Sequence, residues 1–393
     1  MISQDEAWEK IAARIHPLPS RRVALAGALD CFAARDLLSR FALPLFDNSA
    51  MDGYAVKAAT CRAGTRLKVI GEQAAGLDQH LAIAPGEAVR IFTGAPMPAG
   101  ADAVVMQEEV TVAEGEIVLQ SAVAVGEFVR RRGGDIAAGQ RMIGHGERIT
   151  PQKIALLAAQ GMGSLEVGGE VRAALVSTGD ELAPAEGELM AGQIYDANSF
   201  LLQALLQKCG ARVASVTHCA DRAKEIEAAV RAGAACDVLI ISGGVSVGAR
   251  DFVKDAIVAG GGTLELWQVA VKPGKPFLFG HAGKCAIFGL PGNPVSAFVT
   301  FLLFVRPAIL RLMGAAEAAL RLPSRMVRLE VELSNDGARP HYFRGVLSEG
   351  GFHPIGRQES HALFGLSRCD ALLLVRPGET IAAGTVVTVF TWD

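Results

Sequence analysis

Between residues 171 and 314 the sequence alternates short aliphatic runs with helix-like stretches, and each run ends in a polar, glycine-rich segment. Residues 171–177 (VRAALVS) read as a buried strand ending in Thr178-Gly179-Asp180-Glu181. After a loop rich in glycine and proline, Asp196 or Asn198 is placed to cap a helix running to Cys209, with Gly210 as its stop. Residues 212–218 are strand-like, and Asp221 opens a helical stretch with apolar Ile226 and Val230 four apart. Residues 238–241 form a second aliphatic run, ending in Ser242-Gly243-Gly244. A helix is expected from Asp251, strands near 264–271 and 285–288, and a helix after Pro294. Elements alternating at these lengths predict a parallel sheet with helices on both faces. Ligands of such sheets bind beyond the carboxyl ends of the strands, which is where this chain carries its polar segments.

At 393 residues the chain exceeds one ordinary domain, and ~150 residues per domain predicts two to three. Half the residues are hydrophobic and 20% charged, enough to bury a substantial core. With 38 basic against 41 acidic residues, the formal charge of −3 argues against a coat for nucleic acid or anionic lipid. The N-terminus, MISQDEAWEKIAARI, is acidic and amphipathic, unlike a signal peptide. From Cys285 to Val305 no charge occurs, but Pro291-Gly292-Asn293-Pro294 divides the stretch. The apolar run that remains, about eleven residues, is too short to cross a bilayer. Seven scattered cysteines without CxxC spacing indicate neither a disulfide framework nor a zinc site, and a cytoplasmic setting is expected.

Outside the α/β block the pattern changes. Residues ~40–140 carry short apolar runs between Gly/Pro turns, the mark of a mainly β insertion, and a helix is expected over 151–160. Downstream, residues 327–333 (VRLEVEL) alternate cleanly, and 371–375 and 385–390 also read as strands. The expectation is an α/β and β multidomain chain: an elongated N-terminal region (1–170), a central α/β domain with a parallel-rich sheet (171–316, joined by the helix within 1–19), and a small barrel-like β domain (317–393).

Several segments could carry chemistry. Lys272-Pro273-Gly274-Lys275-Pro276 follows a strand, and its stiff loop can aim two point charges at one anion; a solvated basic turn is the alternative. Ser242-Gly243-Gly244-Val245-Ser246 exposes small residues and hydroxyls suited to an anion nest, or makes a simple tight turn. Pro291, Asn293 and Ser296 sit in a strand–helix connection, with Ser296 in the first helical turn. Asp180, Glu181, Asp196, Asp221 and Asp251 all fall near loop–helix junctions; each alone reads as a helix cap or a solvated charge before it reads as a ligand. Together with the lysines and the glycine loop, they point to a phosphorylated ligand handled with metal assistance, since Mg²⁺ takes one or two carboxylates plus phosphate and water. Asp52 and Thr93 are the polar candidates of the β-rich part, as ligands or turn residues, and Arg130-Arg131-Arg132 reads as a solvated run. No histidine, His361 included, has an identifiable catalytic partner.

Seven ordered motifs, FDNSAMDGYAV, RIFTGAPMPAGADAVVMQEE, STGDEL, GQIYDANS, SGGVSVGARDFVKD, KPGKPFLFG and GLPGNPVSAF, resemble one family: molybdopterin molybdenumtransferase of the MoeA type, which also forms the E domain of gephyrin. The resemblance runs from about residue 41 to 314 and more loosely to the end. It implies insertion of molybdate into adenylylated molybdopterin, with Mg²⁺-dependent release of AMP, in an elongated homodimer. Possible further partners are the molybdopterin adenylyltransferase and the apo-enzymes that receive the cofactor. By the motifs, Asp251, Asp221 and Glu181 would hold Mg²⁺ or substrate. Lys272 and Lys275 would neutralise phosphate or molybdate, and Ser296 and Arg344 would complete the molybdate pocket. Asp52 and Thr93 would reach the site across the dimer. Two departures stand out: Ala249-Arg250 precede Asp251 where the family often has an acidic residue, and Gly365 occupies the position of a family serine, for which Ser360 or Ser367 could compensate.

Two other functions compete. A molybdopterin adenylyltransferase shares the α/β unit, but its TGGTG-like loop is replaced here by SGGVSVG and the long N-terminal insertion sets this chain apart. A non-catalytic dimeric scaffold is the other, and the presence of Lys272, Lys275 and Asp251 argues against it.

Overall fold

The computed structural model describes residues 1–245 and 252–392. The chain divides into two compact units: residues 36–144 with 159–161, and the remainder.

The smaller unit is built on a six-stranded sheet in the order Ala103–Met106, Gly53–Val56, Glu87–Ile91, Arg66–Gln73, Glu116–Leu119, Val110–Ala113. Its core is aliphatic, from Val56, Leu67, Ala88, Val105, Ile117 and Leu119.

The larger unit contains the α/β block. Helix α1 (Gln4–Arg14) opens with a capping box, in which the Ser3 hydroxyl accepts from the Glu6 N–H and the Glu6 carboxylate from the Ser3 N–H. Ala7 and Ile11 of α1 join the core of this block. The block proceeds through β1 (Arg172–Thr178), α2 (Ala197–Lys208), β2 (Arg212–Cys219), α3 (Ala223–Gly233), β3 (Val238–Ser242), α4 (Val253–Ala259), β4 (Thr263–Trp267), β5 (Leu278–Ala282) and β6 (Cys285–Leu290). The sheet order is β2-β1-β3-β6-β5-β4. β1, β2, β3 and β6 are parallel, whereas β5 and β4 run antiparallel, so the sheet is parallel-rich as expected, with an antiparallel edge. β5 is a strand beyond those expected: Gly283, at φ +58°, and Lys284 turn the chain between paired Ala282 and Cys285, a two-residue hairpin. The strand expected to reach residue 271 ends at Trp267, because Gln268 takes φ +68° and Val269 bridges to Ile2.

After Pro291-Gly292-Asn293, one long helix, α5, runs from Pro294 to Leu312, with a π-helical stretch at Phe301–Val305. Pro307 has no N–H to return to the preceding turn, which accounts for the widened ladder there. This helix is apolar and long enough to span a bilayer, against the expectation of a short run, but 83% of its apolar window is buried in the protein. It forms the spine of the core, with Phe304 stacked on Phe277 at 4.5 Å.

The C-terminal region is a five-stranded antiparallel sheet in the order Ser324–Arg328, Val386–Phe390, Ala371–Val375, His341–Leu347, Phe352–Pro354. The clean alternation of residues 327–333 does not make one strand. The ladder ends at Arg328, where Gly351 packs directly on the Arg328 carbonyl; Leu329 makes a single bridge to Phe352, and a strand resumes at Leu333–Ser334.

Candidate active site

The polar ends of β1, β3 and β6 converge on a cleft of about 550 Å³. Glu181, Asp221, Ser242, Gly243, Gly244, Pro291 and Asn293 line it, as do His361 and Leu363 from the C-terminal region. Parallel strands place their carboxyl ends side by side, so segments distant in sequence share one rim. Asn198 ties three of them together: its amide nitrogen donates to Ser242 Oγ at 3.0 Å and to the Gly292 carbonyl at 2.7 Å. The helix cap is Asp196, which accepts from the Ser199 N–H at 3.0 Å and leaves Asn198 free for this bracing role. Among the described residues, the carbonyl oxygen of Asn198 and the hydroxyl of Thr178 are buried without a hydrogen-bond partner, two orphaned polar atoms in residues of the cleft wall.

The glycines are required by space. Gly243 and Gly244 have φ of +93° and +62°, and a Cβ on Gly243 would lie 2.5 Å from the Thr178 carbonyl oxygen. Gly243→Ala combines a left-handed backbone with a backbone clash, and a loss of about 2 kcal/mol is expected. A urea midpoint unchanged from the parent would show that the loop relaxes freely.

The carboxylates lie on the loops after β1 and β2. Asp180 accepts from the Asp221 N–H at 3.1 Å, docking the loop after β2 onto the loop after β1. The Glu181 carboxylate folds over Gly179, where a Cβ would lie 2.6 Å from Glu181 Oε2. Among the described residues no group of three or more His, Cys, Asp or Glu side chains could hold a metal. Two carboxylates on an open cleft instead suit a hard cation that completes its shell with water and ligand phosphate. Asp251 and Ser246 lie outside the described residues.

The lysine loop borders this cleft. Its Pro276 lines the wall, while Lys272 and Lys275 are exposed. Gly274, at φ +121°, packs on α5: its Cβ would meet Thr300 Cγ2 at 2.5 Å and the Ser296 carbonyl at 3.7 Å. Lys272 also bridges to His341, two strand positions from Phe343 and three from Arg344. The loop, the start of α5 and the strand carrying Arg344 therefore share one neighbourhood.

Two residues expected to complete an anion pocket sit differently. Ser296 is 4% exposed and does not line the cleft. Arg344 is 1% exposed, and its guanidinium donates to the carbonyls of Arg357 (2.5 Å), Glu359 (3.2 Å) and Ala362 (3.4 Å). Burial pushes its pKa down. A guanidinium committed to backbone carbonyls works as a brace for residues 357–362. That braced loop delivers Ser360, whose hydroxyl accepts from Asn293 Nδ2 at 2.9 Å, and places His361 in the cleft wall. His361 has no catalytic partner recognisable in the sequence, and its one signal there is adjacency to Ser360. Ser367 donates to the Phe364 carbonyl at 2.8 Å, and a Cβ on Gly365 would meet only ordinary contacts.

In the smaller unit, Asp52 Oδ1 accepts from both the N–H (2.7 Å) and the hydroxyl (2.8 Å) of Thr93. These two bonds, with Arg90 nearby, hold the Asp52 carboxyl below the usual carboxylate range. The sequence pair is thus one structural unit, an exposed carboxylate fixed in its ionised form.

Family models for the MoeA N-terminal region (domains I and II), a probable molybdopterin-binding domain and the MoeA C-terminal region (domain IV) match residues 2–161, 174–311 and 326–392. The chain is 35% identical to a molybdopterin molybdenumtransferase of Haemophilus influenzae, over 99% of this chain and 98% of that one. It is 36% identical to molybdopterin molybdenumtransferase 2 of Mycobacterium tuberculosis, over the whole of both. A crystal structure of a molybdopterin biosynthesis MoeA protein from Pyrococcus horikoshii superposes with a TM-score of 0.86 at 27% identity, covering both chains fully.

Proposed function

Since the chain belongs to the MoeA family of molybdopterin molybdenumtransferases, transferase enzymes of molybdenum cofactor biosynthesis, we propose that it inserts molybdate into adenylylated molybdopterin with Mg²⁺-dependent release of AMP. The observation that carries this reading is the meeting of Glu181, Asp221 and the Gly243-Gly244 turn on one cleft whose wall continues into the lysine loop through Pro276. Adenylylated molybdopterin carries a pyrophosphate link, and molybdate is a dianion. A cleft for both needs close backbone approach, fixed cations and carboxylates for a divalent ion.

Glu181 and Asp221, with Asp251, would hold the Mg²⁺. When bound, that ion neutralises the oxygens of the phosphoanhydride as AMP leaves. Ser242, Gly243 and Gly244 would line the phosphate region, with Pro291 and Asn293 of the adjoining turn beside them. Lys272 and Lys275 supply positive charge for phosphate or molybdate. Ser360 is held on Asn293 by the loop that Arg344 braces, and Ser296 backs the lysine loop behind Gly274. Asp52 and Thr93 enter from the second subunit of a cytoplasmic homodimer.

The test is release of AMP from adenylylated molybdopterin on addition of molybdate, set beside adenylylation of free molybdopterin by ATP. Molybdate-dependent release without ATP-dependent adenylylation is the expected result. Lys275→Ala should lower kcat/KM by roughly 10²-fold, the cost of losing one charged group at a reacting anion. Its urea midpoint should stay near the parent's, because Lys275 is exposed. Full activity in this variant removes Lys275 from the site.

A further inference from the structure

Within residues 192–199 (GQIYDANS), Asp196 caps α2 and Asn198 braces the cleft, but the ring of Tyr195 serves neither purpose. Tyr195 lines the cleft and carries the only benzene ring among the described residues that do so. It is 46% exposed, whereas Tyr54 and Tyr342 are buried. Among the described residues no aromatic ring or cation stacks on it.

The ring is nonetheless held in place. Its hydroxyl donates to the Gly187 carbonyl at 3.1 Å, and the Gly187 N–H closes a turn on the Pro184 carbonyl at 2.9 Å. On the backbone side, Ile194–Tyr195 pairs in parallel with Leu182–Ala183. The Ile194 N–H donates to the Glu181 carbonyl at 2.8 Å and the Asp196 N–H to the Ala183 carbonyl at 3.0 Å. Tyr195 is thus fixed at both ends and mounted on the loop that carries Glu181. A side chain ordered beforehand gives up little entropy when a ligand arrives. With its hydroxyl committed to Gly187, the residue offers the cleft ring surface rather than a hydrogen bond. Ile194 and Leu363, also exposed, line the same cleft. Open apolar surface therefore accompanies the glycine turn and the carboxylates, and such surface gains by being covered.

We propose that Tyr195 is a substrate-binding residue whose ring stacks on the adenine of adenylylated molybdopterin. The assignment rests on the reading of this cleft as the site of AMP release. Adenine is flat throughout, whereas the pterin of molybdopterin is reduced and flat only in its pyrimidine ring. Adenine therefore gives the fuller offset-stacked contact.

The test titrates the full chain with AMP, with ribose 5-phosphate, which keeps sugar and phosphate but lacks the base, and with 6-hydroxymethylpterin. The parent should prefer AMP to ribose 5-phosphate. Tyr195→Leu keeps apolar bulk but removes the aromatic face, and should weaken AMP about tenfold, a usual loss for one stacked base. Its affinity for ribose 5-phosphate and its thermal midpoint should not change. Tyr195→Phe loses only the bond to Gly187 and should bind AMP within about threefold of the parent. In turnover with molybdate, Tyr195→Leu should raise KM for adenylylated molybdopterin about tenfold with kcat nearly unchanged, because stacking is made equally in the ground and transition states.

Equal loss of AMP and ribose 5-phosphate would make the ring a prop for its loop, and a loss confined to the pterin would place it at the other end of the substrate. Either result overturns the proposal. So does molybdate-dependent AMP release with the same KM and base preference in parent and Tyr195→Leu, an outcome that leaves the reading of the cleft intact. Absence of both AMP release and AMP binding would sink that reading and the stacking platform with it.

Discussion

Arg344→Ala should destabilise the larger unit by roughly 3–5 kcal/mol, judged by urea unfolding. The side chain is among the largest fully buried ones, so truncation leaves a cavity as well as three carbonyls without their donor. Arg344→Met separates the two effects: it restores most of the volume but none of the hydrogen bonds, and should recover only part of the loss. Gln358 does not substitute for the guanidinium. It already exchanges bonds with the Arg344 backbone, accepting at 2.9 Å and donating at 3.0 Å, and donates to the Ile355 carbonyl. The loop over 357–362 should therefore become the first site of proteolytic cleavage in the variant. Because that loop carries Ser360 onto Asn293, activity should fall along with stability. If Arg344 instead acted only on a bound anion, the variant would lose activity while keeping its urea midpoint and its resistance to protease.

The residues most legible in the sequence were those whose chemistry depends on local backbone. Gly243 and Gly244 follow a strand and need positive φ, and Asp196 caps a helix that Gly210 ends; each is set within a few residues. The α/β order was legible for the same reason, since strand, loop and helix signals repeat at short range. Antiparallel β5 was not. Its residues continue an aliphatic run, and only the Gly283-Lys284 turn reveals that the chain doubles back. The false strand over 327–333 failed because alternation records which faces could be buried, while pairing depends on Gly351 meeting Arg328 from elsewhere in the chain. The same limit governs the site. Arg344 carries the charge expected of an anion ligand, but its partners are carbonyls thirteen to eighteen positions away, set by tertiary packing alone. His341 gave no sequence signal at all, although it packs beside the lysine loop.

His341 leads to the second large effect, a loss of stability in mild acid. Its ring is 4% exposed, lies against Phe343 at 3.9 Å between centroids, and among the described residues has no partner for Nε2. Burial pulls its pKa down from 6.5 to about 4, and Lys272, Arg344 and Arg339 each reinforce that. In the unfolded chain the imidazole recovers its ordinary value. Between pH 6.5 and 4 the unfolded chain therefore binds a proton that the folded chain refuses. The stability is fully present above pH 6.5 and is lost as pH falls toward 4. At ~1.4 kcal/mol per pH unit, this one side chain should remove roughly 3 kcal/mol across that range. His341→Phe keeps an aromatic ring against Phe343 and deletes the titrating group. Carboxylates also protonate over part of this range, so the quantity to compare is the difference between the two proteins' urea-derived stabilities at each pH. That difference should shift in favour of the variant by about 3 kcal/mol between pH 7 and pH 4, with most of the change above pH 4.5. Parallel profiles would show that the imidazole takes its proton as readily in the folded protein as in water. Because Lys272 pairs with His341 through the backbone, the acid limb of activity should also move to lower pH in the variant, linking the stability of this corner to the lysine loop beside the cleft.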